Sequence, residues 1–206
     1  MPDNLRNVEL GELASVDSCD PDRRLLPEFA LLWAEAQELW EQNHKNDAYQ
    51  GYVSSDFLAV YNLLARLRER AFTFLEWGSG LGVITIMASR MGYDAYGIES
   101  EEELVDHSRD FAEKYGPEAQ FAHGSFIPTD FVWDPGEVEV FRTVIDLPGG
   151  YDDLDMEIRD FDLVFGFPWP TEHMLFHKIM QDYCHPGAMF LTFDATEGPR
   201  LVVFED

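Results

Sequence analysis

Residues 72–82 read Phe-Thr-Phe-Leu-Glu-Trp-Gly-Ser-Gly-Leu-Gly, a short apolar run that ends in an acid and breaks into three spaced glycines. The aromatic and β-branched residues at positions 72–75 favour a buried strand. Gly78, Gly80 and Gly82 allow a sharp backbone turn and leave no Cβ between that turn and a ligand. The stretch therefore predicts a strand, a tight turn and the start of a helix, at a place suited to hold a cofactor.

Strand and helix patterns alternate from this stretch to the end of the chain. Apolar segments predict further strands at 93–99, 119–122, 161–165, 188–193 and 201–204, with helices at 83–91, 101–115 and 171–183. Such alternation indicates an α/β fold: a doubly wound, mostly parallel sheet of about six strands with helices on both faces. Residues 192–200 leave no room for a helix, so we expect the last strand to run antiparallel.

A length of 206 residues suits one substantial domain. Residues 1–24 are polar and acidic, and we expect weak order there. Residues 25–206 should form the single domain, with a helical extension at 25–50 and an acidic insertion at 127–160. Two finer predictions are that Ser54 or Ser55 caps the helix leading to the glycine stretch, and that Val138 to Ile145 form a strand or part of a hairpin.

The charge of the chain restricts its partners. Its 40 acidic side chains oppose 14 basic ones, which gives a formal net charge of -26. This field repels polyanions, so nucleic acid is an unlikely substrate, whereas a small molecule or a basic protein is compatible with it. A competing explanation is that the acidity serves solubility and says nothing about the substrate.

The sequence gives no sign of secretion or of a membrane anchor. Its start has no apolar stretch of signal-peptide length, and no later segment is long and apolar enough for a membrane helix. Cys19 and Cys184 are far apart and predict neither a disulfide framework nor a zinc site. We therefore expect a soluble, cytoplasmic protein with no contact to a membrane; the oligomeric state is not predicted.

The spacing of the glycines decides between two kinds of cofactor. A dinucleotide fingerprint, Gly-x-Gly-x-x-Gly, would need glycine at position 83, which is Val83. This disfavours NAD and FAD. The pattern instead resembles the first motif of class I S-adenosylmethionine (SAM)-dependent methyltransferases, an apolar strand followed by an acid and Gly-x-Gly-x-Gly. The resemblance covers roughly residues 50–206.

This resemblance implies a SAM site. The acid that ends the second strand, Glu99, would hold the ribose hydroxyls, since one carboxylate can accept both. Ser125 and Phe126 would lie against the adenine, and Glu76 would face the methionyl ammonium. The full set of cofactor-binding residues implied in this way is Tyr52, Glu76, Gly78, Ser79, Gly80, Gly82, Glu99, Ser100, Ser125 and Phe126.

The acceptor site should lie at the end of the fourth predicted strand. Phe167-Pro168-Trp169-Pro170 resembles the Asp/Asn-Pro-Pro-aromatic motif of amino-methyltransferases, but Gly166 stands where the motif has a side-chain oxygen. Phe167 and Trp169 could bind a cation through their ring faces. Candidate catalytic residues are Phe167, Pro168, Trp169 and, as a base, His173, with Glu172 and His177 as further bases. His173 and His177 have metal-ligand spacing, but without a matching acid or cysteine cluster we expect no metal.

Three functions remain open at this point. The resemblance favours SAM-dependent methyl transfer to a small-molecule or protein acceptor. The unusual Phe-Pro-Trp-Pro segment and the lack of room for a helix at residues 192–200 motivate an alternative, a non-catalytic binding module of the same fold. A nucleic-acid amino-methyltransferase with a degenerate Pro-Trp motif is the less favoured third hypothesis.

Overall fold

The computed structural model describes residues 5–13, 21–49, 51, 56–132, 143, 147–169, 171–194 and 198–205. Predictions for Tyr52, Ser54, Ser55, Pro170 and, apart from Thr143, the segment Val138 to Ile145 lie outside the described residues. Over the described ranges, no helix is both long enough and apolar enough to cross a membrane.

A seven-stranded sheet forms the centre of the molecule. Its strands are β1 (Leu5–Val8), β2 (Thr73–Trp77), β3 (Asp94–Glu99), β4 (Gln120–His123), β5 (Leu163–Gly166), β6 (Met189–Asp194) and β7 (Gly198–Phe204), in the spatial order β1-β7-β6-β5-β2-β3-β4. Strand β2 pairs in parallel with β3 and β5, so that Leu75 lies opposite both Tyr96 and Val164. The predicted α/β class, the mostly parallel sheet and the antiparallel last strand are confirmed, since β7 runs antiparallel to β6.

The predicted number of about six strands is corrected to seven. The additional strand, β1, pairs antiparallel with β7 and places Leu5 opposite Phe204. It lies within residues 1–24, whose polar composition predicted weak order. A segment of four residues with mixed polarity is too short to show the alternation that predicts a strand. β1 forms by pairing its backbone with the edge of β7. Val8 is buried, and Arg6 pairs with Glu205 at 2.6 Å on the surface.

Helices cover both faces of the sheet: α1 (Leu26–Asn43), α2 (Phe57–Leu67), α3 (Val83–Arg90), α4 (Glu102–Tyr115), α5 (Tyr151–Leu154) and α6 (His173–Tyr183). Successive residues of β2 point to opposite faces. Phe74 therefore packs in a cluster with α2 and α3, while Leu75 packs in a second cluster with α6. Each face of the sheet thus has its own apolar core.

Helix α1, in the predicted extension, packs on α3 and α4 through buried residues that include Leu32 and Ala36. Glu35 accepts hydrogen bonds from Lys114 at 2.7 Å and from Tyr115 at 2.8 Å, which ties α1 to the end of α4. Helix α2 is capped by Asp56, whose carboxylate accepts the amides of Leu58 and Ala59. The N-cap in the described structure is thus Asp56, directly after the two serines that the sequence predicted for this role.

A carboxylate fixes the start of β2 beside β5. Oδ2 of Asp162 accepts the amides of Phe72 at 2.7 Å and Thr73 at 3.0 Å, and the amide of Asp162 donates to Oγ1 of Thr73. Although partial burial alone would raise the pKa of Asp162, the Thr73 and Phe72 amides outweigh it and hold that pKa below the ordinary value of 3.8. The ionised form of Asp162 therefore stabilises the pairing of the two central strands.

We expect Asp162→Ala to lower the free energy of unfolding by about 1 to 2 kcal/mol, because two amides lose a charged acceptor at a partly exposed site. Since the pKa of Asp162 is lowered on folding, this contribution is complete above pH 3.8 and is lost as the pH falls below it. Urea unfolding at pH 7 and pH 3 measures both effects. Asp110→Ala, at an exposed position of α4, is the control; an equal loss in both variants would contradict the role of Asp162.

Candidate functional site

A cavity of about 220 Å³ lies where the carboxyl ends of β2, β3 and β5 meet. Parallel strands bring their carboxyl ends to one edge of the sheet, which is where open α/β folds bind ligands. Its lining includes residues of the turn after β2, of the ends of β3 and β4 and of the segment after β5. Residues 76–80, the end of the predicted strand and the turn after it, thus line the cavity.

The glycine turn has the left-handed conformation that its sequence predicts. Gly78, Gly80 and Gly82 have φ angles of 68°, 53° and 73°. Gly78 and Gly80 line the cavity, and the position that a Cβ would take at Gly78 has no atom within 4 Å. The amides of Gly78 and Ser79 both donate to the carbonyl of Ile98, which docks the turn on the end of β3. The open space above Gly78 can therefore admit a ligand close to the backbone.

Gly82, which the sequence placed in the cofactor set, is not among the described residues that line the cavity. A Cβ at Gly82 would lie 2.6 Å from Cζ of Phe121 and 2.8 Å from Cβ of Ser108. Glycine at position 82 lets the start of α3 pack closely against β4 and α4, and so has a structural role.

Glu99 joins the end of β3 to the glycine turn. One carboxylate oxygen accepts the amide of Gly80 at 2.8 Å, and the other accepts the amides of Ser100 at 2.7 Å and Glu101 at 3.1 Å. The Glu99 side chain is buried. It lines the cavity together with Ser100 and Glu101. Each carboxylate oxygen has two acceptor sites, so the oxygen that binds Gly80 can accept a further hydroxyl.

Glu76 is the second buried carboxylate of the cavity. It accepts two hydrogen bonds from Thr85, from the amide at 2.9 Å and from the hydroxyl at 2.6 Å, in the first turn of α3. Burial raises the pKa of Glu76 to about 8, against the two bonds from Thr85, which lower it; the charge of Glu99 adds a smaller upward shift. Glu76 is therefore mostly protonated at neutral pH until a positive charge binds beside it.

Two further predicted residues, Ser125 and Phe126, line the cavity after β4. The Ser125 hydroxyl accepts the amide of Ile127 at 3.1 Å. Phe126 stacks on Trp77 with ring centroids 4.8 Å apart and contacts Phe176 edge-on. Ser79 belongs to the glycine turn and also lines the cavity; its hydroxyl is buried and has no hydrogen-bond partner among the described residues. These residues give the cavity a flat aromatic surface beside a polar rim.

The predicted acceptor residues are only partly brought together. Phe167 and Trp169 line the cavity, and Phe167 stacks on Phe193 at 6.0 Å. Pro168 is buried, and both Pro168 and His173 are absent from the described lining. His177 packs edge-on against Phe190, also outside that lining.

Glu172 is a better placed candidate than His173. It immediately precedes α6, is only 1% exposed and lines the cavity. Its two oxygens accept the amide of Thr143 at 2.9 Å and the hydroxyl of Thr143 at 3.0 Å. Thr143 belongs to the predicted insertion, so this segment reaches the cavity at Glu172. Sequence reasoning missed Thr143, since nothing in the local pattern links it to α6.

The N-terminal part of the chain covers one side of the cavity. Trp33 of α1 and the residues Asp47, Ala48 and Gly51 all line it. The predicted helical extension thus both packs on the domain and covers part of the cavity. Trp33 packs against the apolar core and also lines the cavity, and apolar periodicity cannot separate these two roles.

The charge of the lining is one-sided. It includes the buried acids Glu76, Glu99 and Glu172 and the exposed acids Asp47 and Glu101, and none of the described lining residues is lysine, arginine or histidine. The described part of the lining therefore contributes acidic side chains and no basic ones.

Solved structures with a similar fold include methyltransferases. An RNA methyltransferase from Salinibacter ruber, in complex with S-adenosyl-L-homocysteine, is 16% identical, with a TM-score of 0.52 over 75% of this chain and 95% of the other. A putative caffeoyl-CoA O-methyltransferase from Staphylococcus aureus is 12% identical, with a TM-score of 0.53 over 83% of this chain and 71% of the other. An O-methyltransferase from Streptomyces achromogenes involved in tomaymycin synthesis, in complex with SAM, is 18% identical, with a TM-score of 0.50 over 78% and 64%.

A scan against protein-family models found no match, and neither did a search of curated proteins. At these sequence identities the structural likenesses show the fold. The chain thus has a class I methyltransferase-like fold, and the fold that the motif resemblance implied is confirmed.

We expect Gly82→Ala to destabilise the protein more than Gly78→Ala. Both positions have positive φ, which costs about 1 to 2 kcal/mol for an L-residue. Only at Gly82 does the new methyl group collide with packed atoms, which adds about 1 to 3 kcal/mol. Urea denaturation gives the two free energies of unfolding. Equal values would contradict the structural role of Gly82.

Proposed function

We propose that this chain binds SAM in the cavity and catalyses methyl transfer to a small-molecule or protein acceptor. The observation that carries the proposal is the position of Glu99, a buried carboxylate that lies against the glycine turn and keeps acceptor capacity toward the cavity. The fold supports it, because the similar structures include methyltransferases solved with SAM or S-adenosyl-L-homocysteine (SAH).

The residues present fit the cofactor. Glu99 can accept ribose hydroxyls, and Gly78 leaves room for close backbone approach. Ser125 and Phe126 offer a polar atom and an aromatic face for the adenine. Glu76 lies in the wall on the α3 side, where the methionyl ammonium would give it a positive partner. Ser79 has a buried hydroxyl whose hydrogen bond a ligand could complete.

Bound SAM supplies a methyl group that its sulfonium already activates. The chain's own contribution is to hold an acceptor in line with that methyl group and to exclude water. Phe167, Trp169 and Glu172 lie at the end of the cavity beyond β5 and are the residues we assign to the acceptor. His173 keeps only the status of a sequence prediction, because it is absent from the described lining.

A non-catalytic binding module is the second candidate function. It is favoured by Gly166, which provides no oxygen at the amino-methyltransferase position, and by the direct connection of β6 to β7. Incubation with methyl-labelled SAM and pools of metabolites and proteins separates the two functions. Transfer to any pool supports the enzyme; binding of SAM without transfer to either pool supports the module.

We expect Glu99→Ala to weaken SAH binding by about 10- to 100-fold, because the ribose hydroxyls lose a charged acceptor worth about 1.5 to 3 kcal/mol. Isothermal titration calorimetry measures the affinity. Glu102→Ala, at an exposed position in the first turn of α4, should bind SAH as the wild type does. Unchanged affinity in Glu99→Ala would remove the basis of the cofactor proposal.

We expect SAH affinity to rise with pH toward about 8. The ammonium group of SAH favours the ionised form of Glu76. Below the Glu76 pKa of about 8, binding must therefore release a proton, and affinity gains up to about tenfold per pH unit. Near pH 8 the rise should stop, because Glu76 is then already ionised before the ligand binds.

Titration calorimetry between pH 6 and pH 8, in two buffers of different ionisation enthalpy, measures both the affinity and the protons released. Glu76→Gln should bind more weakly at pH 8 and show little proton release. Proton release that persists in Glu76→Gln would assign the linkage to another group.

A further inference from the structure

We propose that Tyr151 is a positioning residue for the adenine ring of the cofactor. Tyr151 is absent from the described lining of the cavity, but it holds two residues that belong to that lining, Trp77 and Phe126. The inference rests on the proposed function and deepens it, because it gives a residue of the predicted acidic insertion a part in cofactor binding.

The first argument is the pair of hydrogen bonds that the Tyr151 hydroxyl makes. It accepts the Nε1–H of Trp77 at 2.9 Å and donates its own proton to the carbonyl of Phe126 at 2.8 Å, and both bonds are buried. An indole N–H can only donate and a carbonyl can only accept, so the group between them must do both, as a hydroxyl can. Phenylalanine at position 151 would leave a buried donor and a buried acceptor without this partner.

The second argument is the stacking of the two residues that Tyr151 joins. The rings of Trp77 and Phe126 stack with centroids 4.8 Å apart and planes 10° apart. Trp77 ends β2 and Phe126 follows β4, and β3 lies between these two strands in the sheet. Because Tyr151 bonds to the indole nitrogen of one residue and to the carbonyl of the other, it fixes the two against each other across β3.

The third argument is that the chain just before Tyr151 holds Ser125 from the same side. The amide of Ser125 donates to the carbonyl of Pro148 at 2.9 Å, and the amide of Gly150 donates to the carbonyl of Ser125 at 2.9 Å. A Cβ at Gly150 would lie 2.7 Å from Cγ2 of Ile98, so this chain packs closely on the end of β3. One short segment therefore supports both residues that the proposed function places against the adenine.

The support acts on one end of the cavity only. The carboxylate of Glu99 is held by amides of the glycine turn and of the residues after β3, and Glu76 is held by Thr85. Neither acid bonds to Tyr151, so removal of the Tyr151 hydroxyl leaves the proposed contacts to the ribose and to the methionyl ammonium in place. A wall that is fixed before binding loses little freedom when a ligand packs on it, so the loss should concern the adenine alone.

Three ligands that differ in the adenine test this inference: SAH, adenosine, and S-ribosylhomocysteine, which has the ribose and the amino-acid part but no base. We expect Tyr151→Phe to weaken SAH and adenosine binding by the same factor, about 3- to 10-fold, and to change S-ribosylhomocysteine binding less than about twofold. Titration calorimetry measures SAH binding, and displacement of SAH measures the two weaker ligands.

The matched control is Tyr96→Phe. It removes the hydroxyl of another buried tyrosine, which donates to Asp94 at 3.0 Å and is absent from the described lining. It should change the affinity of none of the three ligands. An equal loss for all three ligands in Tyr151→Phe would indicate a general structural role and overturn the inference, as would unchanged SAH affinity.

A double variant gives a second test of the link between Tyr151 and Trp77. Trp77→Phe keeps an aromatic ring and removes the indole donor. Since the two side chains share one hydrogen bond, the combined loss of adenosine affinity should be smaller than the product of the two single losses. A combined loss equal to that product contradicts the inference. Absence of SAH binding by the wild type would overturn the proposed function itself, whereas wild-type SAH binding without the selective loss overturns this inference alone.

Discussion

The turn after β2 is the constraint on which the rest of the molecule depends. Within five residues the backbone takes three left-handed conformations, which glycine adopts without the steric cost that other residues have. The three glycines then serve different neighbours: Gly78 faces open space, Gly80 donates its amide to Glu99, and Gly82 lies against Phe121 and Ser108. A single turn therefore sets the floor of the cavity, the position of its main carboxylate and the packing of α3.

The burial of several acids without a basic residue among the described lining is the second feature of the site. Glu76 and Glu99 are both satisfied by amide or hydroxyl donors from the turn, α3 and the end of β3. Burial nevertheless raises the pKa of Glu76 to about 8, so the site has a strong energetic preference for a ligand with positive charge. The ammonium group of the proposed cofactor would meet this preference.

The sheet is completed in an unexpected way. The short connection from β6 to β7 leaves no helix there, and the strand next to β7 comes from the start of the chain. Pairing β1 with β7 covers an edge that would otherwise expose unpaired amides and carbonyls. Strand β1 is added at the edge of the sheet far from β2 and β3. It is therefore not next to the strands whose carboxyl ends form the cavity.

The sequence by itself determined the fold class, the antiparallel last strand and the glycine turn, because apolar periodicity and glycine spacing are local properties of the chain. It also identified Glu76, Glu99, Ser125 and Phe126, all of which line the cavity. Only the tertiary structure decided that β1 joins the sheet, that Gly82 packs against Phe121, and that Thr143 fixes Glu172 at the cavity while His173 is absent from its described lining. Each of these features depends on contacts between residues that are far apart in the chain. Local sequence patterns do not predict such contacts, because the packing of the helices and strands determines them.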